Sequence, residues 1–235
     1  MKKYASFIMF EIATPISHLF NSIEDAKLIM DYSDCLEYRD HSPSIELSKQ
    51  KLFHCELQPI HELNEKDFAY IESIKKERKN LELVSFHMAT CCNQPILQNK
   101  IFFLGGKIYS ELEMCQNASK NISRIKSILG SDISIAIENN NFYSSEAYNI
   151  VTKPDFIYDI VIKNDIYFLL DIAHAHISAH NMKIDYENYL LQLPLRKIIQ
   201  LHICKHSFDQ NIAYDAHLIP DEDVFLEIQK LIQKK

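Results

Sequence analysis

Glycine is scarce in this chain: three residues in 235, Gly105, Gly106 and Gly130. Strand ends without Gly-rich loops do not cradle phosphates, which argues against a nucleotide-binding doubly wound sheet. The six cysteines (Cys35, Cys55, Cys91, Cys92, Cys115 and Cys204) contain no C-x-x-C pair. Together with the vicinal Cys91–Cys92, they suit a reduced compartment, and a cytoplasmic protein is expected. No apolar stretch approaches the length of a membrane span. Glu11 interrupts the short apolar run after M-K-K early, so the start reads as a first strand rather than a signal peptide. Positive charge is also short: 25 Lys and Arg against 32 Asp and Glu give a net charge of −7. Nucleic acid is therefore disfavoured as a partner, because phosphate contacts need a basic face.

The rest is an ordinary globular composition, 47% hydrophobic and 24% charged, with no linker or low-complexity segment. Residues 1–235 are expected to form one domain. Short β-rich runs alternate with helical ones. The strands are expected at Ser6–Ile12, Asp34–Arg39, Lys51–Leu57, Glu82–Ala89, Ile133–Glu138, Ile166–Asp171 and Lys197–Cys204. Helices are expected at Pro15–Tyr32, from an N-cap at Asn64 to Asn80, and at Lys107–Leu129, with Ile108 and Leu112 on the inner face of the last. Others are expected within Glu146–Lys163, at Asp185–Leu193 and at Asp221–Lys234, with a short one at Ile45–Ser48. Thr90–Gly106 reads as an irregular functional loop, such as a lid. The alternation implies a parallel sheet covered by helices, either a (β/α) barrel or an open wound sheet.

In a barrel the active site lies at the C-terminal strand ends. Those ends carry His54 and Glu56, His87, Glu138, then Asp171 with His174 close behind, then His202, followed by Asp215-x-His217. A lone strand-end histidine is more often structural than a ligand, but one metal cluster explains the whole series. Nitrogen and oxygen donors from so many strands could hold two or three divalent ions. His18, His41 and His61 read as solvated residues. His176, His180 and His206 read as loop histidines near the site that either support its ligands or face the substrate, with His176 and His180 in supporting roles, and Cys91–Cys92 reads as incidental.

The series His54, His87, Glu138, Asp171-x-x-His174, His202 and Asp215-x-His217 resembles the ligand order of the xylose isomerase-like TIM-barrel superfamily, and of endonuclease IV within it. D-C-L-E-Y, A-I-E-N-N-N-F-Y, L-L-D-I-A-H-A-H-I-S-A-H-N, L-P-L-R-K-I-I-Q-L-H-I-C-K-H and Y-D-A-H-L-I-P-D-E-D-V-F are similar to segments of a narrower family. That family holds multinuclear non-haem iron enzymes and includes the oxidase of methanobactin biosynthesis.

The resemblance runs from about Asp34 to Phe225 and is strongest in residues 133–225. It implies an α/β, (β/α) TIM-type barrel and two or three metal ions, iron first and zinc or manganese next. The ligands it implies are His54, His87, Glu138, Asp171, His174, His202, Asp215 and His217; Glu138 and His174 are the expected catalytic residues. The implied reaction is oxidation of a cysteine in a short ribosomally made peptide, with a peptide-recognising partner protein. Substrate choice would fall to Thr90–Gly106 and Asn139–Ala147.

Three departures stand out. The family continues into an eighth strand bearing a glutamate ligand, and this chain stops at Lys235, so the barrel is expected to lack that strand. A second copy could cover the exposed sheet edge. An asparagine is common in the family where His174 stands, and Asn181 rather than His180 matches the family pattern. The alternatives are an endonuclease IV-like phosphodiester hydrolase, a sugar isomerase or epimerase, and a degenerate metal-binding barrel without turnover.

Overall fold

The structure is a computed structural model, and it describes residues 10–16, 22–42 and 47–233. Its centre is a seven-stranded, all-parallel sheet. In chain order the central strands are β1 (Ala13–Pro15), β2 (Cys35–Arg39), β3 (Gln50–Cys55), β4 (Leu83–Phe86), β7 (Ser134–Glu138), β8 (Tyr167–Asp171) and β9 (Ile198–His202). They pair in that same order. Two antiparallel hairpins leave the sheet: β5–β6 (Ile96–Gln98, Ile101–Phe103) and β10–β11 (Lys205–Asp209, Ile212–Leu218). The helices are α1 (Ile23–Asp31), α2 (Glu65–Glu77), α3 (Glu111–Leu129), α4 (Pro154–Lys163), α5 (Ile172–Met182), α6 (Tyr186–Gln192) and α7 (Glu222–Gln233).

The sheet is curled. Five strand-to-strand steps separate β2 from β9, which would be about 24 Å in a flat sheet. Yet His202 of β9 lies 2.9 Å from the Glu37 carboxylate of β2. The inner faces therefore converge on one interior. Among the described residues the sheet does not close: β1 and β9 are its edges. Among the described residues this is an open, curled α/β half-barrel, consistent with an incomplete TIM-type barrel.

Period-two alternation sorts the strand residues. Phe53, Val84, Phe86, Ile135, Ile137, Phe168 and Leu170 face outward into the main core, where Phe68, Ile71, Ile74, Ile122 and Ile125 of the helices cover them. The inward positions form two layers. The lower is apolar: Leu83, Ala136 and Leu169 form a small separate cluster with Leu52 against it. Two residues further along the same strands the inward positions are His54, Ser85, Glu138 and Asp171. An apolar floor thus carries a polar layer at the C-terminal strand ends.

Local signals fix several helices. Asn64 caps α2 as expected, in a capping box with Asp67, and Ser110 does the same for α3 with Glu113. That second box also corrects the expected start of α3. Lys107–Tyr109 stay extended, Ile108 bridges Cys92, and the helix begins at Glu111. Ile108 and Leu112 are consequently exposed rather than on the inner face, and Met114 and Ala118 are buried instead.

Other expectations shift as well. Of the expected first strand only Phe10–Ile12 is described, and it precedes β1, which ends at the Pro15 expected to open a helix. The described part of that helix starts at Ile23. Of the expected helix at Ile45–Ser48, Ile45 and Glu46 lie outside the described residues, as does His18, and the described Leu47 and Ser48 are not helical. Thr90–Gly106 holds the β5–β6 hairpin rather than irregular loop, and Gly105 has room for no Cβ, which would lie 2.3 Å from the Gln94 carbonyl oxygen. Helix α5 and the β10–β11 hairpin were not expected.

Candidate metal centre

The alternation that builds the fold also brings the expected site residues together. His54 ends β3 side by side with Ser85 of β4, and Glu138 ends β7. Asp171 ends β8 opposite His202 of β9. Asp171 also caps α5, its Oδ1 accepting from the His174 backbone N–H at 2.8 Å. The Asp-x-x-His spacing is thus an N-cap and the third helical residue, which sets both side chains facing one interior. Asp215 and His217 arrive on β11.

Glu138 is the hub. Its Oε2 lies 3.3 Å from His54 Nε2 and 3.2 Å from His87 Nδ1, and its Oε1 lies 2.8 Å from His202 Nδ1. The rings of His54 and His87 are 4.2 Å apart, and those of His54 and His202 are 5.0 Å apart. His174 joins this inner group to an outer one. Its Nε2 is 3.8 Å from Asp171 Oδ2 and 3.4 Å from Asp215 Oδ2, and the latter oxygen is 3.0 Å from His217 Nε2. All eight expected residues therefore form one continuous set. Glu56 does not join it: its side chain is exposed and pairs with His41.

Neighbours orient these donors. His54 Nδ1 meets Ser85 Oγ at 2.8 Å, which leaves Nε2 for the interior. His174 Nδ1 donates to the Asn139 carbonyl at 2.8 Å, again freeing Nε2. Asn139 also clamps Asp171, donating to its carbonyl and accepting from its N–H. Ser178 and Asn181 of α5 hold the 140–142 loop, and Asn181 also bridges to the Ala213 backbone on β11. The position matched to the family pattern is therefore a structural bracket for the site.

The charges are balanced by protons. Burial opposes ionisation of Glu138, yet His54 and His202 hold its pKa well below the ordinary value. Glu37 is likewise lowered, burial being outweighed by His202. Asp171 is raised by burial and by the Glu138 charge. Despite burial, His174 is pushed up to about 10 by Asp171 and Asp215, and His202 is raised by Glu37 and Glu138. Burial lowers His87 to about 3, so it is neutral. Buried carboxylates balanced by imidazolium, beside a neutral imidazole, form a donor set in which divalent cations can take the place of protons. The residues fit a multinuclear centre on that ground. Donor atoms within 4.8 Å of one another group as His54–Glu138–His202, Glu138–Asp171–His174 and Cys204–Asp215–His217.

Two participants were missed in the sequence. Glu37 is 2% exposed and contacts His202, Gln200 and Arg39. Its signal is the alternation in D-C-L-E-Y, where Leu36 and Tyr38 face the core and the acid between them faces inward. Cys204, beyond the end of β9, has its Sγ 3.8 Å from Asp215 Oδ1. Burial, Asp171 and Asp215 push its thiol pKa up.

His61, expected to be solvated, is buried. It donates from Nε2 to the Thr90 carbonyl at 2.7 Å and stacks on Tyr109. His41 is exposed, as expected. His176 and His206 stack beside Tyr186, and His176 pairs with Glu227 of α7, away from the centre. His180 contacts the Asn211 carbonyl. Cys91 and Cys92 are buried with free thiols.

A cavity of about 1980 Å³ opens onto the centre, bordered by Glu138, His174 and His217 and by the apolar Phe102, Ile199 and Phe225. Among the described residues no helix is long and apolar enough to cross a membrane.

The model of a family described as "RiPP precursor modification enzyme MbnB/TglH/ChrH" matches residues 58–235. The match includes His87, Glu138, Asp171, His174, His202, Asp215 and His217 and starts after Glu37 and His54. A UPF0276 protein of Caulobacter vibrioides (strain NA1000 / CB15N) is 28% identical over 89 residues, 38% of this chain and 32% of that protein. Another, of Shewanella loihica, is 23% identical over 154 residues, 64% of this chain and 52% of that protein. The chain thus spans about a third to a half of these curated relatives. Among solved structures, the one titled "The crystal structure of AsfvAP:AG" superposes with a TM-score of 0.48 at 11% identity, over 88% of this chain and 79% of that one.

Proposed function

The chain belongs to the RiPP precursor modification enzyme family MbnB/TglH/ChrH, and from that premise we propose that it is a non-haem iron oxidase acting on a cysteine-containing, ribosomally made peptide. One observation carries this reading: all eight expected donors, from four strands of the curled sheet and its flanking segments, lie around one interior. Two or three ions are proposed, held by His54, His87, Glu138, Asp171, His174, His202, Asp215 and His217. When bound, iron would supply activation of dioxygen, which His and carboxylate donors suit.

The chain's own residues supply position and charge. Glu37 holds His202 from behind, and Ser85 and Asn139 set the rings of His54 and His174. The apolar layer of Leu52, Leu83, Ala136 and Leu169 underlies the polar one, and Leu52 and Leu83 also line the cavity that gives access to the donors. That cavity exceeds the roughly 300–1,000 Å³ usual for small-molecule pockets, which favours a peptide. Glu138 belongs to both interior donor groups and His174 reaches from the interior to Asp215, and the two are proposed as the catalytic pair. A peptide-recognising partner protein, a cytoplasmic location and a second copy over the open edge belong to the same proposal.

Metal analysis and absorption spectroscopy on protein purified without oxygen test it. The expected result is about two or more irons per chain with charge-transfer bands, as a multinuclear His/carboxylate set requires. Zinc alone would turn the reading to hydrolysis, and no bound metal after anaerobic reconstitution would leave a degenerate barrel.

A further inference from the structure

Cys204 lies two residues past the end of β9, at the mouth of the centre, and is not among the eight proposed ligands. Its sulfur lies 3.8 Å from Asp215 Oδ1. The other oxygen of that carboxylate lies 3.0 Å from His217 Nε2 and 3.4 Å from His174 Nε2. One sulfur, one oxygen and one nitrogen from Cys204, Asp215 and His217 all fall within 4.8 Å of one another. In a tetrahedral zinc site, bond lengths of about 2.3 Å to sulfur and about 2.0 Å to nitrogen and oxygen place S···O near 3.5 Å and N···O near 3.3 Å. The sulfur approaches Asp215 Oδ1 and the His217 nitrogen approaches Oδ2, each within a few tenths of an ångström of the corresponding value, so the carboxylate stands between the two other donors.

We propose that Cys204, Asp215 and His217 form an outer metal site with a thiolate ligand, chemically different from the all-nitrogen-and-oxygen interior. The proposal rests on the metal-centre reading and adds to it a distinct ion preference. Sulfur is the soft donor here, and a Cys/His/Asp set selects zinc over magnesium, calcium or manganese. On binding, the S–H bond breaks, a sulfur–metal bond forms and the proton leaves to solvent; no oxidant is needed. His217 is largely exposed while Asp215 is mostly covered, so the outer ion meets the cavity before the interior does. Asp215 then touches both sites, one oxygen toward Cys204 and the other toward His174 and His217.

Cobalt(II) loading of the intact chain tests this, because a thiolate gives cobalt a near-ultraviolet charge-transfer band that imidazole and carboxylate do not. The wild type is expected to show the band. Cys204→Ser is expected to lose it together with about one equivalent of cobalt, while the visible bands of the interior ions stay. Cys115→Ser, at a cysteine on α3, should leave band and stoichiometry unchanged, which separates ligand loss from general damage. Cobalt bound without the band, or a band that survives Cys204→Ser, overturns the outer site and leaves the proposed oxidase standing. The reverse pattern, a sulfur band with no interior cobalt, refutes the interior centre and keeps Cys204. No bound cobalt at all refutes both.

Discussion

Replacing Glu37 with glutamine isolates the effect of a charge that stands behind the centre. The side chain keeps its shape, so packing between β2 and β9 is preserved. What is lost is a carboxylate that approaches His202 Nε2 at 2.9 Å, takes a hydrogen bond from Gln200 and pairs with Arg39 at 2.9 Å. Glu37 is 2% exposed, so water does not replace the lost interaction. Partners of this kind behind a ligating histidine typically contribute 10- to 100-fold in metal affinity. That corresponds to about 1.4–2.7 kcal/mol.

The assay is a competition titration against a chelator of known affinity, in wild type and Glu37→Gln, with ion stoichiometry measured alongside. A weakening of about 10- to 100-fold at unchanged stoichiometry is expected. An affinity within experimental error of wild type would refute the view that Glu37 positions His202. Loss of a whole ion would show Glu37 to be a ligand itself.

Substituting the proposed ligands directly has a sharper outcome: Asp171→Ala or His202→Ala should lower metal content while circular dichroism shows an intact fold, and unchanged metal content would mean the site is misplaced. For the core, Ile71→Ala on fully buried α2 packing should cost about 2–5 kcal/mol in denaturant unfolding, and a cost below about 1 kcal/mol would contradict the packing described. Ser110→Ala removes the cap of α3 and should cost about 1 kcal/mol, read as a shift in the unfolding midpoint. Burial lowers the pKa of His61 in the folded state, outweighing its bond to Thr90. The folded chain therefore favours neutral His61, so its contribution is present above the unfolded value of about 6.5 and is lost as pH falls below it. Stability measured from pH 7 to 5 should fall less steeply in His61→Gln; an unchanged slope would contradict this assignment.

Much of the centre was legible because strand alternation and strand direction together decide where polar side chains go. Once β7 and β8 were read as parallel, Glu138 and Asp171 at their C-terminal ends had to face the same mouth. Glu37 obeys the same rule without giving the same signal. It stands in the middle of β2 rather than at its end, and its neighbours Leu36 and Tyr38 make the segment read as core.

The opening of α5 was hidden for a different reason. In D-I-A-H-A-H-I-S-A-H-N the histidines drew attention as a cluster, whereas the N-cap bond from Asp171 to the His174 amide makes the segment a helix. That helix sends His174 inward and carries His176 and His180 to Glu227 and the Asn211 carbonyl. The β10–β11 hairpin was equally opaque. No Asn-Gly or Asp-Gly pair marks its turn, and Gln210 adopts a left-handed backbone there instead. His61 illustrates the remaining limit: nothing local reveals that a loop histidine lies between Tyr109 and the Thr90 carbonyl.

The most direct test of the central claim is anomalous diffraction at the iron edge, from crystals grown without oxygen. At least two peaks are predicted inside the curled sheet. One lies among His54, Glu138 and His202, and another beside Asp171 and His174 on the side facing Asp215. A chain that takes up iron but shows no anomalous peak within bonding distance of Glu138 would contradict the account.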